Sequence, residues 1–239
     1  NDRIKLKIIH TYGVVKQAEE LAERMHLSTE DTDLARLIAL LHDIGRFEQL
    51  KRYDSFEPGT MDHAAYGVKV LFDEGMIRRF LPDDKWDSII YTAIAHHSDY
   101  ELPEISDSQT LLHAKLIRDE DKLDNCRVKL VDSTSTFINV SEEELDTQNI
   151  TQKVYETVFK NKCILSADRV TQMDYWVSYI VYFFDINFKE SFDIIAENDY
   201  LNRIIDRIPY SNPVTKEQME NIRVYMQNFI NSHTNGQSF

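Results

Sequence analysis

The chain has 239 residues, 42% of them hydrophobic, and a formal net charge of −14. This length and apolar content suffice for a sizeable core, whereas no apolar run approaches the roughly 18 residues that a membrane span needs. The acidic excess disfavours a protein that grips long nucleic acid, because such proteins present a basic surface to the phosphates. Small substrates are therefore favoured.

Turn-forming residues are scarce, with 6 Gly and 5 Pro in the whole chain. No segment shows the alternating pattern of a strand, so we predict an all-α fold. Cys126 and Cys163 match neither a metal-binding spacing nor a disulfide framework. With no signal peptide visible, we expect a reducing, cytoplasmic location.

The first half of the chain is predicted to contain five helices. They cover about residues 4–25, 33–45, 61–74, 84–97 and 108–127. The first carries His10 on an apolar stripe with helical spacing. The second is apolar on most faces, and Gly45 is expected to end it. A loop is expected over residues 46–60.

The second half has a polar, irregular stretch over residues 130–150, which we interpret as a connector. Two or three further helices are expected over 151–232, the last beginning after Pro213. We predict a helical core with the chemistry at residues 1–130. A C-terminal helical extension, 131–239, is expected to pack on it as one compact unit.

Each helix of the first half carries a histidine or an aspartate on or beside its apolar stripe. These residues are His10, the pair His42 and Asp43, His63, the pair His96 and His97, and Asp121. Singly, each could be a hydrogen-bonded core residue or a solvated acid. Burying several without partners would cost roughly 2–7 kcal/mol per polar group. A shared metal centre would supply the partner for all of them.

The pair His42 and Asp43 is the most informative of these. An imidazole nitrogen beside a carboxylate suits a divalent transition metal, and the two oxygens of Asp43 could bridge two ions. An acid near a helix C-terminus is disfavoured by the helix dipole. Asp43, expected at the end of the second helix, therefore needs a compensating partner, and a metal is one.

Helical phase separates the paired histidines. At 100° per residue, His97 falls about 20° from Trp86, near the centre of the apolar face, whereas His96 lies about 80° away. We therefore predict His97 as a ligand and leave His96 as a further ligand, a substrate contact or a partly exposed residue. Asp121 follows Ile117 by four residues, which places it on a buried stripe.

The order of these residues resembles the HD superfamily. The stretches Leu41–Glu48 and Asp62–Gly67 are similar to a bacterial branch described simply as HD domain proteins. The resemblance covers about residues 4–127 and implies an HD-type helical core, here with additional C-terminal helices. The chain lacks the Gly-Tyr-Pro segment of cyclic-di-GMP phosphodiesterases and the acidic pair of alarmone hydrolases, so neither substrate is expected.

The resemblance also implies a role for each residue. His10, His42, Asp43 and Asp121 match the residues that hold one metal, and His63 and His97 match the two histidines added in dinuclear members, with Asp43 bridging. Two divalent transition metals (Fe, Mn, Co, Ni or Zn) would activate water for attack. Arg46 stands where a basic residue often meets a phosphate. Arg118, Lys122 and His96 are further candidate substrate contacts.

Three functions remain open. The leading hypothesis is a phosphohydrolase that cleaves a phosphoester or phosphoanhydride bond of a small, nucleotide-like substrate. Its partners would be that substrate, with no long nucleic acid and no membrane, and a homodimer is compatible with the sequence. One alternative is a mixed-valent di-iron oxygenase with the same six ligands. The other is a non-catalytic nucleotide-binding sensor, which the complete ligand set disfavours.

Overall fold

The computed structural model describes residues 1–57 and 59–234. Within these ranges every regular element is helical, which confirms the all-α prediction. The α-helices, numbered in chain order, are α1 (Asp2–Arg24), α2 (Thr29–Leu41), α3 (Ile44–Tyr53), α4 (His63–Val68), α5 (Asp87–Ala95), α6 (Ser108–Val131), α7 (Thr134–Phe137), α8 (Glu142–Asp146), α9 (Gln152–Val158), α10 (Gln172–Val181), α11 (Lys189–Glu197), α12 (Tyr200–Asp206) and α13 (Pro213–Thr234). A π-helical turn, Lys69–Asp73, extends α4, and short 3₁₀ segments lie at Met76–Arg79, Ser166–Asp168 and Tyr182–Asp185.

The chain divides into two compact units, Asn1–Asp124 and a second that begins at Asn125. In the first unit α1 packs on α2 and α3, α4 packs on α3 and α5, and α2 contacts α5. The apolar stripes of these helices form its core. Fully buried members include Val14, Ala18, Leu21, Ile38, Ile90 and Ile94.

The region after His42 differs from the prediction. A loop was expected from residue 46 and a helix end at Gly45, but Ile44–Tyr53 is helical and Gly45 lies in its first turn. Both predictions are wrong. Gly45 does not end a helix; it allows α3 to pack closely against α4. The consequence is that the chain changes direction at residues 42 and 43.

Other boundaries also shift. The helix expected from residue 61 begins at His63, with the Asp62 side chain accepting from the amide of Ala65. Residues 130–150 contain the two short helices α7 and α8, and within the described residues five helices follow Thr151 rather than two or three. Short polar helices of this kind have too little periodicity to be recognised from sequence.

The second unit has its own core around Trp176, which is fully buried and donates from Nε1 to the hydroxyl of Tyr210 at 3.2 Å. Asp174, also buried, accepts from the amides of Thr151, Val170 and Thr171 at 2.8–3.0 Å. Among the described helices, none combines the length and apolar character needed to cross a bilayer.

Candidate metal centre

His42 and Asp43 form the turn that joins α2 to α3. α2 ends at Leu41, and α3 begins at Ile44. Both side chains of the turn are buried, with 0% of His42 and 4% of Asp43 exposed. Asp43 is the N-cap position of α3, where a helix dipole favours negative charge. The prediction that the dipole penalises this carboxylate is therefore wrong.

One oxygen of Asp43, Oδ2, faces a first pair of imidazoles. It lies 3.9 Å from Nε2 of His10 and 3.5 Å from Nε2 of His42. Oδ1 of Asp121 approaches the same nitrogens, at 2.9 Å for His10 and 3.8 Å for His42. We call these four residues the first half-site. They come from α1, the turn at 42–43 and α6.

The other oxygen, Oδ1, faces a second pair. It lies 3.4 Å from Nε2 of His63 and 3.6 Å from Nε2 of His97, and these two nitrogens are 3.1 Å apart. We call Asp43, His63 and His97 the second half-site. His63 opens α4, and His97 follows the end of α5. Asp43 thus belongs to both half-sites, through a different oxygen in each.

The structure separates the two adjacent histidines. His97 is 4% exposed and lies in the second half-site, whereas His96 lies outside both half-sites with its Nδ1 2.6 Å from a carboxylate oxygen of Asp99. α5 ends at Ala95, so the helical phase used to choose between them stops one residue before His96. The side chain of His97 is placed by the turn that follows α5.

Two of the imidazoles are oriented by a hydrogen bond from the ring nitrogen that faces away from the half-sites. Nδ1 of His42 lies 2.7 Å from the carbonyl oxygen of Ala39, and Nδ1 of His97 lies 2.7 Å from that of Ile94. A carbonyl oxygen can only accept, so each Nδ1 carries the proton. The Nε2 lone pair of each ring is then directed at the half-sites, which is the tautomer a metal ligand requires.

The donor set fits divalent transition metals. Nitrogen and oxygen ligands bind such ions at about 2.0–2.2 Å, so two ligands of one ion typically lie ~3.0–3.5 Å apart. The donor separations within both half-sites are close to that range. Nε2 of His42 is buried and, among the described residues, has no hydrogen-bond partner. A bound cation would complete its coordination and remove the cost of an unpaired buried acceptor.

Charge in the site favours the ligand forms of Asp43 and His63. Burial opposes ionisation of Asp43, but the Lys7 cation beside it outweighs burial, and the pKa of that carboxyl is held well below its usual value. Burial, assisted by the Arg46 cation, holds the pKa of His63 well below its usual value. An ionised carboxylate and a neutral imidazole are the species that bind metals.

Two cations flank Asp43, and sequence reasoning found one of them. Arg46, predicted to contact phosphate, has Nε 3.7 Å from Oδ1 of Asp43 and donates from Nη1 to Oε1 of Gln49 at 2.6 Å. Lys7, which was missed, has Nζ 2.5 Å from Oδ2. Its only signal in the sequence is its place one turn before His10 on the same helix face.

Arg118 and Lys122, both predicted to contact substrate, occupy different environments. Arg118 is 2% exposed, and its Nη1 donates to the carbonyl oxygens of His96, His97 and Asp99 at 3.0, 3.4 and 2.7 Å. These bonds place the guanidinium beneath the turn that carries His97, away from solvent. Lys122 is half-buried, and its Nζ donates to the carbonyl oxygen of Arg118 at 3.1 Å. Arg118 therefore stabilises the turn that carries His97, a residue of the second half-site.

Residues 8–126 match a family model described as HD domain. The matched range runs from α1 into α6 and includes both half-sites. Comparisons with curated proteins and with solved structures gave no significant match.

Proposed function

Because the chain belongs to the HD superfamily of metal-dependent phosphohydrolases, we propose that it hydrolyses a phosphoester or phosphoanhydride bond of a small, nucleotide-like substrate at a dinuclear metal centre. The observation that carries the proposal is the position of Asp43. Each of its oxygens faces its own pair of histidine Nε2 atoms, at 3.4–3.9 Å. One carboxylate shared by two imidazole pairs is an arrangement that can hold two adjacent ions.

The ligands divide between the half-sites. His10, His42, Asp43 and Asp121 would hold one ion, and Asp43, His63 and His97 would hold the other. When bound, divalent metals supply Lewis acidity, which lowers the pKa of water and stabilises the charge that develops on a phosphoryl group. The protein holds the carboxylates ionised and the imidazoles in fixed orientations, so little reorganisation accompanies the reaction.

The positions of Lys7 and Arg46 favour a substrate that carries a phosphate. Their side chains are 11% and 19% exposed, and each approaches a different oxygen of Asp43. Cations in this position attract an anionic group toward the centre despite the net charge of −14. Arg46 can donate in a planar fork to phosphate oxygens, whereas Lys7 acts as a point charge.

A substrate screen with added metals tests the proposal. The chain, freed of metal by a chelator, is assayed with Mn²⁺, Fe²⁺, Co²⁺ or Ni²⁺ against nitrophenyl phosphate, bis(nitrophenyl) phosphate and nucleoside mono-, di- and triphosphates. Metal content is measured in parallel. Asp43→Asn should lose metal and activity together. Asp33→Asn is the matched control, because Asp33 lies exposed on α2 and contacts Arg36.

Close to two metal equivalents and metal-dependent release of phosphate or nucleotide support the proposal. A wild-type chain that binds no metal, or an Asp43→Asn variant of full activity, would overturn it. Oxygen consumption that depends on iron, with no phosphate release from any substrate, would instead support the oxygenase alternative.

A further inference from the structure

We propose that Asp124 is a positioning residue that fixes the His10 imidazole for metal binding, and that Gly13 is present to admit the Asp124 carboxylate. The inference rests on the proposed metal centre, since it concerns how one ligand of the first half-site is oriented. It assigns roles to two residues that lie outside both half-sites.

The His10 ring lies between two carboxylates of α6. Its Nδ1 is 2.7 Å from Oδ2 of Asp124, and its Nε2 is 2.9 Å from Oδ1 of Asp121. Both His10 and Asp124 are 1% exposed. Asp121 and Asp124 are one helical turn apart, so a single helix contacts both nitrogens of the ring.

His10 needs this partner because of its place in its helix. His42 lies one residue and His97 two residues beyond the end of its helix, and each reaches the carbonyl oxygen three residues earlier. Carbonyls in a last turn lack the amide that the next turn would supply, so they can accept from a side chain. His10 lies inside the 23-residue helix α1, where carbonyls accept from backbone amides four residues on. Its Nδ1 must therefore find a partner on another element.

The Asp124 carboxylate reaches His10 through space that only a glycine leaves open. A Cβ on Gly13 would stand 1.9 Å from Oδ1, 2.4 Å from Cγ and 2.8 Å from Oδ2 of Asp124. Glycine inside a helix is destabilising relative to alanine. Here the absent side chain lets the carboxylate lie against α1, one turn from His10.

A carboxylate partner also differs chemically from a carbonyl. It carries charge, so it makes the imidazole a stronger donor to a cation, and partners of this kind typically affect metal affinity 10–100-fold. The first half-site thus has a ligand whose orientation and donor strength depend on Asp124.

The test uses Co²⁺, whose absorption spectrum reports ligand geometry. Affinity of the metal-free chain is measured by competition with a chelator for wild type, Asp124→Ala, Gly13→Ala and the double variant Gly13→Ala/Asp124→Ala. Circular dichroism establishes that each is folded. Asp33→Asn is the control. We expect both single variants to bind the first-half-site Co²⁺ about 10–100-fold more weakly and to shift its visible spectrum.

The double variant shows whether Gly13→Ala weakens metal binding by displacing the Asp124 carboxylate or by an unrelated disturbance of the fold. Once the carboxylate is removed, the Cβ at position 13 has nothing to displace, so Gly13→Ala should add little to the loss caused by Asp124→Ala. Additive losses would contradict the proposal, as would folded single variants with wild-type affinity and spectrum. Failure of both single variants to fold with saturating Co²⁺ would overturn it too, since the contact would then be structural. Failure of the wild type to bind metal would instead refute the proposed function.

Discussion

The α-carbon of Gly45 lies against the backbone of His63: a Cβ added to Gly45 would stand 2.0 Å from the carbonyl oxygen of His63. This contact brings the start of α3 onto the start of α4. Asp43 lies two residues before Gly45, so the same contact helps to set the distance between the Asp43 carboxylate and the His63 imidazole.

Gly45→Ala should therefore destabilise the chain and weaken metal binding at the second half-site. Overpacking of this kind typically costs about 1–3 kcal/mol. Gly67→Ala is the matched control on the facing helix, because its Cβ would meet only ordinary van der Waals contacts, at 3.4 Å from Cγ2 of Ile44, 3.6 Å from the backbone nitrogen of Gly45 and 3.9 Å from the carbonyl oxygen of His42. Urea unfolding of both variants measures the difference. Equal stability of Gly45→Ala and Gly67→Ala would show that the backbone contact is unimportant.

The two half-sites should lose metal separately. His63→Ala removes a ligand of the second half-site only, and we expect metal content to fall from about two equivalents to about one. His96→Ala, a neighbouring histidine outside both half-sites, should keep two. Elemental analysis after gel filtration makes the measurement. Retention of both ions by His63→Ala would contradict the division of ligands.

Removing Lys7 should destabilise the metal-free chain more than the metal-bound one. Lys7 balances the buried Asp43 carboxylate, and loss of one partner of a buried ion pair costs up to about 3–5 kcal/mol. Bound cations supply the same compensation. Melting temperatures of wild type and Lys7→Met, each with chelator and with Mn²⁺, test this. An equal decrease in both conditions would refute the expectation.

Arg46→Gln should raise KM for phosphorylated substrates about 10–150-fold and leave metal content unchanged. The expected size is that of a lost hydrogen bond to a charged group, about 1.5–3 kcal/mol. Steady-state kinetics and elemental analysis provide the two measurements. Loss of metal with unchanged KM would mean that Arg46 acts on Asp43 rather than on substrate.

The free energy of unfolding should fall in mild acid because of His113. Burial lowers its pKa, although Asp31, 3.2 Å away, opposes the shift. The unfolded chain takes up a proton near the ordinary value of 6.5 while the folded chain still holds His113 neutral. Its contribution to stability therefore falls as pH drops below that value. Urea unfolding between pH 7.5 and 5.5 should show a smaller loss for His113→Gln than for wild type. His26→Gln is the control, and a loss as large as that of wild type in His113→Gln would contradict the assignment.

Much of the site could be predicted because its residues carry local signals. Helical spacing places His10 and Asp121 on apolar stripes, and His42, Asp43 and His63 lie in short motifs that identify the family. The region after Asp43 was not predicted correctly, because Gly45 can end a helix or permit close packing, and its own sequence does not distinguish the two. Only its contact with His63 decides between them.

The sequence by itself determined the helical class, the ligand types and their order along the chain, since these follow from periodicity and chemistry within a few residues. The tertiary structure decided which groups meet: Lys7 with Asp43, Asp124 with His10, and Arg118 with the turn that carries His97. These contacts join helices far apart in sequence, and their geometry depends on packing at the level of single atoms. The space beside Gly13 exists only once α1 and α6 have packed together.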